Sequence, residues 1–152
     1  MNLWSWLPDL MSAPTPLSAE DYGKSLHGLG FNLIVRDLER ALHFATEVLE
    51  ATVFFRTDVF AAIKLHGADY MLHMPQSYRG NELHATLLSD APRGVGIELR
   101  CYHVDPDMAE ARARAAGFTV LAGAMDKPHG LRECMILDDE GCVWIASRHK
   151  SP

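Results

Sequence analysis

The hydrophobic residues of the chain form two blocks with the same order of elements. In the first block, the apolar run 31–35 leads to Asp37, which suits a helix N-cap, and then to apolar residues at helical spacing over 38–49. Strand-like segments follow at 52–57, 60–65 and 70–74. Gly67-Ala68-Asp69 provides the turn before the last of them. The pattern predicts a βαβββ module over about residues 30–74.

The second block repeats this order. A strand is predicted at 96–102, and Asp105 and Pro106 suit the start of a helix over 108–116, which Gly117 ends. Further strands are predicted at 118–122, 132–137 and 142–147, the last two joined by a hairpin turn over Asp138-Asp139-Glu140-Gly141. The repeat is one of order rather than of residue identity. It predicts a second βαβββ module over about residues 94–148.

The segment between the modules, residues 75–93, has no clear periodic pattern. Connections of this length inside a domain are usually functional or mobile. We therefore predict a crossover that also covers the mouth of a pocket.

The first 26 residues are predicted to be an N-terminal arm and a linker. Trp4 and Trp6 lie in a short apolar stretch, and a proline-rich segment follows, with Met11 as an alternative start. The domain itself is then expected over residues 27–150.

Composition and charge restrict the function. The chain has 152 residues with 14 Lys+Arg against 20 Asp+Glu, a formal net charge of -6, which disfavours nucleic acid and anionic membranes as partners. It has no run of about twenty apolar residues that would predict a membrane span. The three cysteines lack the spacing of a metal motif and are expected to be buried reduced thiols of a cytoplasmic protein: Cys101, Cys134 and Cys142.

Two segments resemble the vicinal oxygen chelate superfamily, which comprises glyoxalases, bleomycin resistance proteins and extradiol dioxygenases. GFNLIVRDLERALHF, from Gly30, is similar to its opening strand and helix, and KPHGLRECMILDDEGCVWI, from Lys127, to its closing hairpin. The resemblance implies an α+β fold in which tandem βαβββ modules form a cupped eight-stranded mixed sheet around a pocket. It also implies a homodimer, in which the pocket is sometimes built across the interface.

The resemblance further implies a metal site with ligands from the first and last strands of each module. The four positions correspond to Gly30, His73, Glu98 and Ile145. Glycine and isoleucine cannot bind a metal, so only His73 and Glu98 remain as ligands. The expected cofactor is one divalent ion (Zn, Ni, Fe or Mn) or none, and His84, His129 or a residue of a second subunit are candidates to complete the site.

Glu98 and His129 are the predicted catalytic residues. If Glu98 faces the pocket and is desolvated, it can act as a general base; otherwise it is a surface residue paired with Arg100. His129 lies in a Pro-His-Gly turn and is a candidate proton donor or pocket lid, or merely a turn residue. His73 has the alternative of being an inward histidine that hydrogen-bonds a neighbour.

Four further residues are predicted to bind substrate. Asn32 follows the missing first-strand ligand on the same face, and Arg132 can hold a carboxylate with two parallel hydrogen bonds. Tyr70 and Trp144 are candidates for the pocket wall or for the core.

Three functions are consistent with these features. The first is a glyoxalase-like protein that binds a small oxygen-bearing organic molecule and catalyses metal-assisted or Glu98-assisted proton transfer or oxygenation. The second is a metal-free protein that binds or sequesters a small molecule, as drug-resistance members do. The third is a ferredoxin-like interaction module, against which the extra strand in each module counts.

Overall fold

The computed structural model describes residues 18–26, 28, 30–80, 84–88, 90, 93–94 and 96–149. They belong to two compact units, Met1–Gly30 and Phe31–Pro152. In the first unit, helix α1 (Ala19–Ser25) begins after the N-cap Ser18, whose hydroxyl accepts a hydrogen bond from the Asp21 amide at 3.1 Å. The apolar arm and proline-rich segment predicted before it lie outside the described residues.

The first module has the predicted βαβββ order. Its elements are β1 (Asn32–Ile34), α2 (Leu38–His43), a π-helical turn (Phe44–Val48), β2 (Thr52–Arg56), β3 (Phe60–Leu65) and β4 (Ala68–His73). The strand order in the sheet is β1-β4-β3-β2, with β1 and β4 parallel and the other pairs antiparallel. Because β1 and β4 are parallel, their carboxyl ends lie at the same edge of the sheet.

Local sequence signals explain most of these boundaries. The predicted N-cap Asp37 accepts a hydrogen bond from the Arg40 amide at 2.9 Å. The turn predicted at Gly67-Ala68-Asp69 begins earlier, because His66 and Gly67 both have positive φ angles, of 47° and 84°, and Ala68 already belongs to β4. Two residues of positive φ form the type of tight turn that suits the twist of a β-hairpin.

The second module repeats the order. It contains β5 (Glu98–Tyr102), α4 (Pro106–Ala115), β6 (Thr119–Asp126), β7 (Leu131–Leu137) and β8 (Val143–His149). Its sheet has the order β5-β8-β7-β6, again with the first pair parallel. Asp105 is the N-cap, accepting hydrogen bonds from the Asp107 and Met108 amides at 3.0 Å, and Pro106 occupies the first turn as predicted.

The crossover contains two short helical segments that its sequence did not predict, a 3-10 helix at Pro75–Tyr78 and α3 at His84–Leu87. At its end, the amides of Arg93 and Gly94 both donate to the Glu140 carbonyl at 3.3 Å. A Cβ at Gly94 would lie 2.4 Å from the Cys142 backbone nitrogen, so only glycine fits this contact.

One hydrophobic core joins the two modules. Phe44 of the π-helical turn contacts Phe118 and Trp144, with ring centroids 4.8 Å and 5.7 Å apart, and Tyr70 of β4 lies 5.6 Å from Trp144. The glyoxalase-like fold of tandem modules is therefore confirmed, with its eight strands in two four-stranded sheets; no described strand of one sheet pairs with a strand of the other.

Each sheet turns one face toward this core, and we call the opposite face its open face. Strand alternation and register define the open face of the first module by Asn32, Ile34, Phe60, Ala62, Met71 and His73. They define that of the second module by Glu98, Arg100, Tyr102, Glu133, Met135, Ile145 and Ser147. No helix within the described residues is long and apolar enough to cross a membrane.

Candidate functional site

Positions in the two modules can be matched through their helix N-caps. Asn32 and Arg100 each lie five residues before the N-cap of their module, Asp37 or Asp105. In the parallel ladders, Asn32 lies beside Met71, and Arg100 lies beside Ile145. Met71 and Ile145 are therefore equivalent positions of the two modules.

One step further along the same ladders, Ile34 lies beside His73, and Tyr102 lies beside Ser147. His73 is therefore the counterpart of Ser147. Their antiparallel neighbours are Phe60 for His73 and Glu133 for Ser147. The two open faces thus carry different side chains on the same backbone framework.

The open face of the second module carries an ion-pair cluster, which we call the polar cluster and define as Glu98, Arg100, His129 and Glu133. The Arg100 guanidinium contacts the Glu133 carboxylate closely and lies 3.4 Å from Oε2 of Glu98. His129 Nε2 lies 3.2 Å from Oε1 of Glu133. The Glu133 side chain is only 7% exposed, whereas that of Glu98 is 54% exposed. Glu133 is therefore the buried centre of the cluster.

Ser147 lies beside Glu133 and is fully buried. Its hydroxyl Oγ has no hydrogen-bond partner among the described residues. A buried hydroxyl without a partner is costly, because water no longer solvates it. This open face therefore contains a polar group whose hydrogen-bonding capacity is unused.

The open face of the first module carries an aromatic cluster, defined as Phe55, Phe60 and His73 together with Tyr78 of the adjoining 3-10 helix. The His73 ring contacts Phe60 and Tyr78 edge-on at centroid distances of 4.7 Å and 5.3 Å, and Phe55 lies 6.1 Å from Phe60. Nδ1 of His73 lies 3.1 Å from the hydroxyl of Ser77. Burial lowers the pKa of His73, which favours a neutral imidazole at pH 7.

Comparison with known proteins identifies the family. The family model described as Glyoxalase/Bleomycin resistance protein/Dioxygenase superfamily matches residues 26–145. The chain belongs to this superfamily. No curated protein matches the chain.

Solved structures of superfamily members share the fold. A glyoxalase-related enzyme from Fulvimarina pelagi aligns with a TM-score of 0.65 at 20% identity, over 82% of this chain and 89% of that one. A glyoxalase/bleomycin resistance protein/dioxygenase family enzyme from Burkholderia phytofirmans PsJN gives 0.66 at 17%, over 80% and 97%. A lactoylglutathione lyase from Agrobacterium tumefaciens gives 0.59 at 17%, over 80% and 92%. At these identities the likeness concerns the fold alone.

Within one subunit, the described residues do not make up a complete site for the divalent metal that the superfamily often binds. The last-strand ligand position of the second module is Ile145, and its counterpart in the first module is Met71 rather than His73. The contacts of His73 lie in the first module and the adjoining 3-10 helix, and that of Glu98 lies in the second module. The described residues contain no group of three or more His, Cys, Asp or Glu side chains arranged to hold a metal. Metal binding by His73 and Glu98 stays a prediction.

The other predicted site residues occupy three environments. Asn32, like Glu98, is exposed on an open face, and the exposed His129 adjoins the open face of the second module. Arg132 points to the helix side instead, where its guanidinium pairs with Asp107 at 2.6 Å and with Asp126 at 3.0 Å. These carboxylates occupy the guanidinium that was predicted to hold a substrate.

Tyr70 and Trp144 are buried in the core rather than on an open face. Both line two cavities, of about 30 Å³ and 180 Å³, and the lining of the larger also includes Arg100 and Tyr102. The Trp144 indole donates to Asp138 Oδ2 at 2.9 Å. Burial raises the pKa of Asp138, although the hydrogen bond from Trp144 acts in the opposite direction and lowers it. The smaller cavity has room for about one water molecule.

Sequence reasoning missed the role of Glu133. A weak signal was present, because Glu133 lies within a predicted strand, directly before the apolar run 134–137, and a carboxylate needs a partner if buried. The expected partner of Arg100 was Glu98, two residues away, and that contact exists but is long. The closer partner of Arg100 is Glu133, which lies 33 residues away along the chain. Their contact depends on the register of β5, β8 and β7 in the sheet.

Proposed function

We propose that the chain binds a small oxygen-bearing organic molecule on its open faces without a divalent metal. The observation that carries this proposal is the contact of Arg100 with both Glu98 and Glu133. A guanidinium already supplies the positive charge that a metal would bring to these carboxylates. Its five N–H groups exceed what the contacts with Glu98, Glu133 and Tyr102 use, and the remainder can donate to a ligand oxygen.

The two clusters offer different kinds of contact to a small molecule. The aromatic cluster offers ring surface and a neutral imidazole, and ring surface favours flat or aromatic molecules. The polar cluster offers donors from Arg100 and His129 and acceptors from Glu133. Catalytic roles for Glu98 and His129 remain predictions; neither is needed for binding.

Catechol, an aromatic ring with two neighbouring oxygens, is a suitable probe. We expect saturable binding in an NMR titration, with the same Kd before and after dialysis against a chelator. The Arg100→Gln variant should bind about tenfold more weakly, because a charge-assisted hydrogen bond is lost. The control is Arg56→Gln, which removes the same charge from the opposite face of the first sheet, where Arg56 pairs with Glu39. Loss of binding after chelation, restored by Zn²⁺, would contradict the proposal.

We also propose that a second copy of the chain covers the open faces. Large apolar side chains are exposed there, namely Phe55, Tyr102 and Met125. Light scattering coupled to gel filtration should give twice the chain mass of 16.9 kDa. Met125→Asp should weaken the dimer, whereas Met108→Asp, an equally exposed position on α4, should not. A monomer at all accessible concentrations would contradict this proposal.

A further inference from the structure

A second candidate binding site lies away from the polar cluster, at the carboxyl ends of β1 and β4. It is a cleft of about 390 Å³ between the end of β1 and two parts of the crossover, the 3-10 helix and the segment from α3 to Arg93. This volume lies within the range of small-molecule sites, roughly 300 to 1,000 Å³. We call it the crossover cleft.

Three arginines line the crossover cleft: Arg36, Arg79 and Arg93. Arg36 pairs with Oε2 of Glu140 at 2.5 Å, and Arg93 lies 3.9 Å from the same oxygen. The Glu140 side chain is only 9% exposed and does not line the cleft. One buried carboxylate therefore supports two guanidiniums and neutralises one of their charges.

The position of Arg93 is fixed by its backbone contacts. Its guanidinium donates to the Ile34 carbonyl at 2.8 Å and to the Leu87 carbonyl. These bonds join the end of β1 to α3 through one side chain. Arg93 is thus an ordered cation on the cleft wall.

Arg79 is the cation that remains available. It is exposed, and no hydrogen bond or ion pair joins its side chain to another described residue. Asp90 is the one carboxylate among the described lining residues, and His84 adds a further charge when protonated. Among the described residues, the cleft thus has three guanidiniums in its lining against Asp90 and, behind the wall, the buried Glu140, in a chain whose formal net charge is -6.

The rest of the wall is partly apolar, with contributions from Met74, Leu87 and Leu88. Leu88 is strongly exposed and adds apolar surface to this wall. A cleft that combines arginine donors with an apolar wall suits a molecule that has an anionic group on an apolar body. Arginine matches the planar carboxylate particularly well, because its N–H groups can form two parallel hydrogen bonds.

We propose that the crossover cleft binds a small organic anion, a carboxylate on an apolar body, with Arg79 as its principal charged contact. This site is separate from the polar cluster, where two carboxylates outweigh Arg100. It does not depend on the proposed function of the open faces.

The test is a ¹H–¹⁵N NMR titration with three probes. Benzoate has a carboxylate and an apolar ring, benzyl alcohol has the ring without the charge, and inorganic phosphate has the charge without the ring. We expect benzoate to shift the amides of Gln76 and Arg79 saturably and with the lowest Kd of the three. Arg79→Gln should raise the benzoate Kd about tenfold. Arg114→Gln is the matched control, since it removes the same charge from α4 of the second module, where Arg114 pairs with Glu110.

Four outcomes would overturn the proposal. Benzoate could fail to shift these amides, or benzyl alcohol could bind as tightly, which would show that charge is irrelevant. Phosphate could bind as tightly as benzoate, which would show that the apolar wall is irrelevant. The two arginine variants could raise the Kd equally, which would reduce the effect to net charge. Thermal unfolding of both variants checks that neither loses its fold.

Discussion

The two modules carry different side chains at equivalent positions of their open faces. Phe60 and His73 of the first module correspond to Glu133 and Ser147 of the second, and Asn32 corresponds to Arg100. The core faces diverge less, since both are largely apolar, with paired arginines such as Arg56 and Arg132 at their margins. The shared core therefore constrains one face of each sheet, while the other face can carry aromatic or charged side chains.

The largest effect is expected at the link between the modules. Glu140 of the second module pairs with Arg36 of the first and is nearly buried. Glu140→Gln should lower the free energy of unfolding by about 3 kcal/mol, because it leaves guanidiniums without their counter-charge. Urea denaturation measures this change.

The neighbouring carboxylate provides the control. Asp139 pairs with Arg40 but is 54% exposed, so Asp139→Asn should cost less than about 1 kcal/mol. Equal losses in the two variants would mean that burial of Glu140 does not matter. Two separate unfolding transitions would mean that the modules are not one cooperative unit.

The next largest effect compares the equivalent positions Arg100 and Asn32. Arg100→Ala should lower the free energy of unfolding by about 2 kcal/mol, because the buried Glu133 loses its guanidinium. Asn32→Ala removes an exposed side chain and should change stability by less than about 0.5 kcal/mol. If both variants are equally stable in urea, the polar cluster does not distinguish the modules.

A smaller effect of opposite sign is expected at Ser147. Ser147→Ala removes a buried hydroxyl without a described partner and should raise the free energy of unfolding by about 1 kcal/mol. Ser77→Ala is the contrasting variant, since that hydroxyl donates to the Met74 carbonyl at 2.8 Å and contacts His73. It should destabilise the protein. A loss of stability on Ser147→Ala would show that the hydroxyl has a partner.

The smallest effect concerns the pH dependence of stability through His73. Burial lowers its pKa below 6.5, so between the lowered value and 6.5 the unfolded chain binds more protons than the folded one. The stability linked to this residue is therefore complete above pH 6.5 and decreases as pH falls through the lowered pKa. His73→Gln should lose this dependence, measured by urea denaturation at pH 7.5 and pH 5. His149→Gln, at the exposed end of β8, should keep it; an unchanged pH profile in His73→Gln would contradict the assignment.

Much of the fold was predictable because its signals are local. Asp37 and Asp105 are followed by apolar residues at helical spacing, and both prove to be N-caps. The strand at Phe60–Leu65 was predicted at its observed bounds. The helical segments of the crossover were not predicted, since four residues are too few to show a period.

The candidate site was predicted less well. Glu98 and His129 do belong to one cluster, but Glu133, which contacts His129 and Arg100, was not among the expected residues. The sequence left undecided whether Tyr70 and Trp144 line the pocket or lie in the core. Strand parity alone does not show which face of the sheet points to the core. Only the packing of the modules placed them in the core.

Helix caps and hydrophobic periodicity act over a few residues, so they were enough to predict the two βαβββ modules and their helix starts, while two short segments carried the superfamily resemblance. The tertiary structure decided which charges meet. Arg100 reaches Glu133 across 33 residues, and Arg36 reaches Glu140 across 104. Such contacts depend on strand register and on the packing of one module against the other, which no local pattern specifies.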